Sequence, residues 1–211
     1  MAFRGVLFSA VAVALGLGLS GCADPEGEFK AFEERKAANQ GSGGTTACDP
    51  PAAGEADGDF LFALSATLAP NKPILGVVGI TTTDGANGTE MSVNLQPLSA
   101  TDRKTAVGTA DDFGPYALNA DGTVAIEIAS LITPGEANPI TGSEINASDV
   151  VLGGQVCGVK DFYCGTVTGN VTKPLPLDLV GSTFTLERIT TPGTYPEPPK
   201  INCAGDLADP L

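Results

Sequence analysis

From Gly58 onward, apolar side chains recur at every second position, the period of a strand with one buried face. In 60–68, Phe60, Phe62, Leu64, Ala66 and Leu68 share a face, with Ser65 and Thr67 opposite. The segment 72–82 is more continuously apolar, through Ile74, Leu75, Val77, Val78 and Ile80. In 90–96, Met91, Val93 and Leu95 face one way and Ser92, Asn94 and Gln96 the other. Asp84-Gly85 and Asn87-Gly88 mark the turn between these two runs. A polar stretch, 99–112, leads to a short strand near Pro115–Leu118, and Asn119-Ala120-Asp121-Gly122 signals another hairpin. Val124, Ile126 and Ile128 then point inward, with Thr123 and Glu127 outward. After an irregular Pro- and Gly-rich stretch, Thr133 to Asn146, the alternation resumes in Val150, Leu152, Gly154 and Val156. Gly165, Val167, Gly169 and Val171 alternate with Thr166, Thr168, Asn170 and Thr172. The last strand, 181–189, sets Phe184, Leu186 and Arg188 on one face and Thr183, Thr185 and Glu187 on the other.

This pattern predicts an all-β domain over 58–189, an antiparallel meander of about eight strands. A sheet of that length must close or fold over to bury its apolar face. Eight strands suit a closed barrel that holds its own side chains or one small ligand, and a two-sheet sandwich fits the same pattern. The inner face is led by Phe60, Phe62, Leu64, Met91, Val93 and Leu95, which are the candidate ligand-binding residues together with Arg188. Gly154, Gly165 and Gly169 on that face would thin the packing and leave room for a ligand. The expected mode is then a pocket at the barrel mouth.

Upstream, the pattern differs. Arg4 precedes an apolar run, Val6 to Leu19, too short for the roughly 20 apolar residues of a membrane span and suited to a signal-peptide core. It ends in Leu19-Ser20-Gly21-Cys22, which resembles the lipobox of bacterial lipoprotein precursors. The resemblance implies that residues 1–21 are removed. It also implies that Cys22 carries a diacylglycerol thioether and an amide-linked acyl chain, and that the protein is tethered in the cell envelope. Ala23 follows the cysteine where many relatives retained in the inner membrane carry Asp, which favours the outer membrane. Residues 22–57 read as a stalk. Asp24-Pro25 can start a short helix over Glu26 to Asn39, and Gln40 to Thr46 is a Gly- and Ser-rich spacer.

Loss of residues 1–21 leaves 10 basic against 25 acidic residues, a balance of −15. That charge argues against nucleic acid or anionic headgroups as partners. Besides Cys22, four cysteines remain, Cys48, Cys157, Cys164 and Cys203, an even number that in an exported chain reads as two disulfides. Of the three possible pairings, Cys157–Cys164 would close a hairpin and Cys48–Cys203 would fasten the ends of the β body, tying back the tail 190–211. That pairing is the expectation.

The chain contains no histidine, so a Ser-His-Asp or Cys-His centre cannot form; no CxxC or P-loop occurs, and no GxGxxG fingerprint follows a strand and opens a helix. The function expected is therefore non-catalytic, with no cofactor. Glu55-Ala56-Asp57-Gly58-Asp59 and Asp111-Asp112 offer oxygen ligands suited to calcium but lack EF-hand spacing, and read as turn and linker carboxylates. The Asn-x-Ser/Thr triplets at Asn87, Asn146 and Asn170 read as turn and strand residues. Gly58, Phe60 and Arg188 faintly resemble the lipocalins and related barrels, which set an Arg of the last strand across an aromatic ring of the first. That resemblance implies a cation–π plug of Arg188 over Phe60. The sequence thus points to an envelope lipoprotein, membrane-bound through its lipid, that binds a small apolar ligand or lipid. The alternative is a surface protein that meets an envelope protein through 133–146 or 191–200 and has no pocket.

Overall fold

A computed structural model describes residues 48–86, 88–158 and 160–211. Nine strands follow one another: β1 (Gly58–Ser65), β2 (Ile74–Gly85), β3 (Gly88–Pro97), β4 (Asp111–Ala117), β5 (Thr123–Thr133), β6 (Ile145–Gln155), β7 (Phe162–Lys173), the two-residue β8 (Leu177–Asp178) and β9 (Ser182–Arg188). Among the described residues the one helical piece is a 3-10 turn, Gly135–Ala137. The signal peptide, Cys22, the short helix and the spacer expected upstream lie outside the described residues.

The strands form a single antiparallel sheet in the order β4-β3-β2-β1-β9-β7-β6-β5, with β8 beside β7. First and last strands pair, from Phe60 opposite Arg188 to Ser65 opposite Thr183, so the sheet curls into a nearly closed barrel and not a sandwich. The seam falls between β4 and β5, which share no strand ladder. There the Tyr116 hydroxyl donates to the Glu127 carbonyl at 2.8 Å. Burial, and secondarily the Glu127 charge, raises the Tyr116 pKa and keeps that donor protonated.

The inward positions make the main core, with Phe60, Phe62, Val78, Ile126, Val167 and Phe184 among its members. A second core lies on the outer face of β1, where Leu61 and Ala63 join Leu75 and Leu98 under Ile189 and Tyr195. The tail beyond β9 covers this face. Thr183 Oγ1 donates to the Ile201 carbonyl and Thr185 Oγ1 to that of Lys200, both at 2.7 Å. Glu187 accepts from the Lys200 backbone N–H at 2.8 Å and pairs with its ammonium, while Arg103 holds Glu197 at 2.7 Å. Thr185 is fully buried although it points away from the barrel interior. Both faces of β1 are therefore dry, which is why it reads as a nearly unbroken apolar run.

Three expectations are corrected. Residues 48–57 belong to the body and not to a stalk: Pro51 and Ala56 are buried, and Gly54 N–H donates to Thr82 Oγ1 at 2.8 Å. The disulfides are Cys48–Cys157 and Cys164–Cys203, not Cys157–Cys164 and Cys48–Cys203. The β6–β7 register sets Gly154 opposite Gly165. Cys157 is thereby left beyond the end of the ladder, where the segment from Cys48 crosses and Gly158 N–H meets the Asp49 carbonyl at 3.1 Å. Cys164 sits within β7 opposite Thr185, beside the strand on which the tail lies. Finally, the inward glycines leave no space. A Cβ on Gly165 would stand 2.6 Å from Phe184 Cε1, and one on Gly154 3.1 Å from Cζ of the same ring, so Phe184 fills the room they provide.

Candidate functional site

Up-and-down strands give the barrel two ends, and the chain treats them differently. At one end lie the segment 48–57, the β2–β3, β4–β5 and β6–β7 connections and the start of the tail. Here the last inward residue of β9, Arg188, lays its guanidinium over Phe60 with 4.6 Å to the ring centroid. Phe60 and Tyr163 pack with centroids 5.7 Å apart. Arg188 Nη1 donates to the Asp57 carbonyl at 3.0 Å, and Nε stands 3.3 Å from Asp161 Oδ1. The Asp57 carboxylate is in turn held by the Thr82 backbone N–H at 2.7 Å and hydroxyl at 2.8 Å. Gly58 makes this possible: at φ +148° its missing Cβ would lie 2.4 Å from Arg188 Nη1. Nη1 and Nε are thus engaged while Nη2 is buried without a hydrogen-bond partner, and the guanidinium closes this end.

The opposite end carries the β1–β2, β3–β4, β5–β6 and β7–β9 connections. Between them opens a cavity of about 250 Å³. Its wall is aliphatic, with Phe62, Leu64, Ala147 and Val150 deep and Leu68, Ile140 and Leu175 at the rim. Leu68, Ile132, Leu175 and Val180 are more than half exposed. The β5–β6 loop keeps its shape through buried Asn138. Its Oδ1 accepts from the Ile140 and Thr141 N–H groups at 3.0 and 3.3 Å. Its Nδ2 donates to Thr141 Oγ1 at 2.7 Å and the Ser143 carbonyl at 2.8 Å. Between the two ends, the barrel waist retains a void of only about 30 Å³ among Phe62, Val78, Met91 and their neighbours, room for about one water. The waist is filled, so the cavity is a cup and not a channel.

The seven residues proposed from sequence as ligand contacts therefore divide into three groups. Phe62, Leu64 and Leu95 line the cup. Met91 and Val93 belong to the filled waist. Phe60 and Arg188 form the plug at the far end. The cavity size decides how much the cup can take. It exceeds the roughly 150 Å³ that admits benzene and falls just below the roughly 300–1,000 Å³ of drug-sized pockets. One slim hydrocarbon chain or a small ring system fits.

Sequence reasoning missed Asn138 and Leu175, which sit in connections, and Leu177, in the two-residue β8. The signal available was Pro174-Leu175-Pro176-Leu177, an apolar stretch between two strands, where a solvated loop would be polar. Of the two surfaces proposed for partners, 133–146 rims the cup, whereas 191–200 is anchored to the barrel by fully buried Pro199 and by Tyr195 on the outer core and leaves 191–194, 197 and 198 exposed. The suggested calcium residues do not converge. Asp57 is engaged by Thr82, and Asp112 points outward, accepting from Asn94 at 2.7 Å, while Asp111 on the next position faces the cup. Among the described residues no three Asp, Glu, Cys or His side chains group as a metal site. Compared with protein-family models, curated proteins and solved structures, the chain matches none.

Proposed function

We propose that the protein is a lipid-anchored envelope lipoprotein, held in the outer membrane by Cys22, that binds a small apolar ligand or lipid chain non-catalytically in the cup. The observation that carries this reading is the aliphatic cavity of about 250 Å³ at one barrel end, set against a plugged opposite end and a filled waist. An apolar chain leaving water for such a wall gains about 0.8 kcal/mol per buried methylene. No hydrogen bond has to break for it to enter, because Asn138 is already fully partnered within its loop. Native mass spectrometry on protein extracted gently from its own membrane tests the reading. A reproducible extra mass, lost on denaturation and absent from controls, supports it, and acylation of Cys22 in the same spectra supports the anchor. A body that is always empty favours a second reading, to which the exposed Leu68, Leu175 and Val180 also lend support: an envelope protein docks on this apolar rim and no ligand is carried.

A further inference from the structure

Among the described residues four polar side chains line the cup: Asp111, Thr133, Asn138 and Thr141. The bonding capacity of Asn138 is spent within its loop, Thr141 Oγ1 accepts from both the Asn138 amide and the Ser143 N–H, and Thr133 is a neutral, buried hydroxyl at the end of β5. Asp111 is different. It opens β4 opposite Leu95, on the strand face it shares with Phe113, and is half-buried. Among the described residues it has no ion-pair partner; the three pairs there are Arg103–Glu197, Arg188–Asp161 and Lys200–Glu187. Lys72, Lys104 and Lys173 stand at the same barrel end, but all three are exposed and outside the lining; Arg103, which pairs with Glu197, is outside it too. A carboxylate against an aliphatic wall thus has its lone pairs free for whatever occupies the cup.

We propose that the ligand is an amphiphile with one hydrocarbon chain and a head that donates hydrogen bonds or is cationic, as in an alcohol or amine, and that Asp111 excludes carboxylates. This rests on the reading of the cup as a ligand site. The chain occupies the apolar floor at Phe62 and Val150 and the head lies beside Asp111. A carboxylate head there would set two anions together beside a low-dielectric wall, where their repulsion is far larger than in bulk water. An alcohol or ammonium instead gains a charge-assisted hydrogen bond.

The test uses the mature chain, residues 22–211, carrying Cys22→Ser, so that neither acyl groups, the apolar run 6–19 nor detergent compete. A neutral fluorescent reporter, N-phenyl-1-naphthylamine, is displaced in turn by decylamine, decanol and decanoate. Decylamine and decanol should displace it about tenfold or more better than decanoate. Asp111→Asn should abolish most of that gap by improving decanoate. Raised salt should narrow the amine–carboxylate gap in the unsubstituted protein, a readout independent of how the variant folds. Equal displacement by all three overturns the inference and leaves the cup as a ligand site. If neither reporter nor amphiphile binds, the ligand site itself falls, and the inference with it.

Discussion

The two barrel ends are built from the same alternating strands, yet one is a plug and the other a cup. At the plug, chain from outside the meander reaches in: Asp57, supplied by the segment before β1, provides the carbonyl that seats Arg188. At the cup, the loops come from within the meander and carry Leu, Ile and Pro, with their polar groups bonded among themselves as at Asn138. The tail reaches the cup end as well, where Arg103 meets Glu197 and the Asp209 carbonyl, but those residues lie outside the cavity lining. What closes the plug is the position of the cation, a guanidinium laid inward over Phe60.

The contrast can be broken from the plug side first. Phe60→Ala removes a fully buried ring and should cost about 3–5 kcal/mol, whereas Leu68→Ala at the exposed rim should change stability by no more than about 0.5 kcal/mol. Urea unfolding of the two variants measures the difference, and similar midpoints would refute the asymmetry. Next in size is the cross-link that holds the 48–57 segment. Joint replacement of Cys48 and Cys157 by Ser should cost about 2–4 kcal/mol, and non-reducing peptide mapping of the unsubstituted protein should recover Cys48 joined to Cys157. Finding Cys157 joined to Cys164 would undo that account.

Arg188→Met sharpens the same point. It keeps much of the stem over Phe60 but loses the cation–π contact and the bond to the Asp57 carbonyl, so about 1–2 kcal/mol should be lost while reporter binding in the cup is unchanged. A comparable loss of binding would show that the ends are coupled. The smallest effect is one on which the two ends agree. Asp102 in the β3–β4 loop is held at a pKa of about 2, first by the Thr105 hydroxyl and then by backbone N–H groups. At the plug end the Thr123 hydroxyl and then its N–H lower the pKa of Asp121. A lowered carboxylate pKa stabilises the fold above the unfolded value near 4, and that contribution disappears as pH falls through the folded value. Acidification from about pH 4 to pH 2 should therefore loosen the Asp102 turn. Asp121 should titrate below its ordinary range in the same carbon-detected NMR experiment, and ordinary values for both would contradict these turn bonds.

Much of the barrel was legible in the chain because a strand with one wet face writes its structure locally. The inward sets Phe60-Phe62-Leu64 and Val124-Ile126-Ile128 were found at the right parity, and β2, β3 and β9 within a few residues. β4 was placed late, at Pro115–Leu118, because Asp111 and Asp112 made its first half read as a polar loop. The outer core was missed although Leu61 and Ala63 carried the sign of it, an apolar pair where an outward position facing water would be polar. Within the proposed site, Phe62, Leu64 and Leu95 were readable as inward. Their division from Met91 and Val93 was not, since depth along the barrel leaves no trace in a period of two.

The sequence by itself determined the all-β class, the inward parity of β1, β3, β5, β6, β7 and β9 and the presence of enough cysteines for two cross-links. These depend on side-chain chemistry repeated every second residue, a property of neighbours in the chain. Tertiary structure alone decided which cysteines meet, that Phe184 occupies the space beside Gly165, that the tail seals the outside of β1 and β9, and which end stays open. Each of those depends on the distance between segments remote in sequence, and sheet register and closure, not local pattern, set that distance.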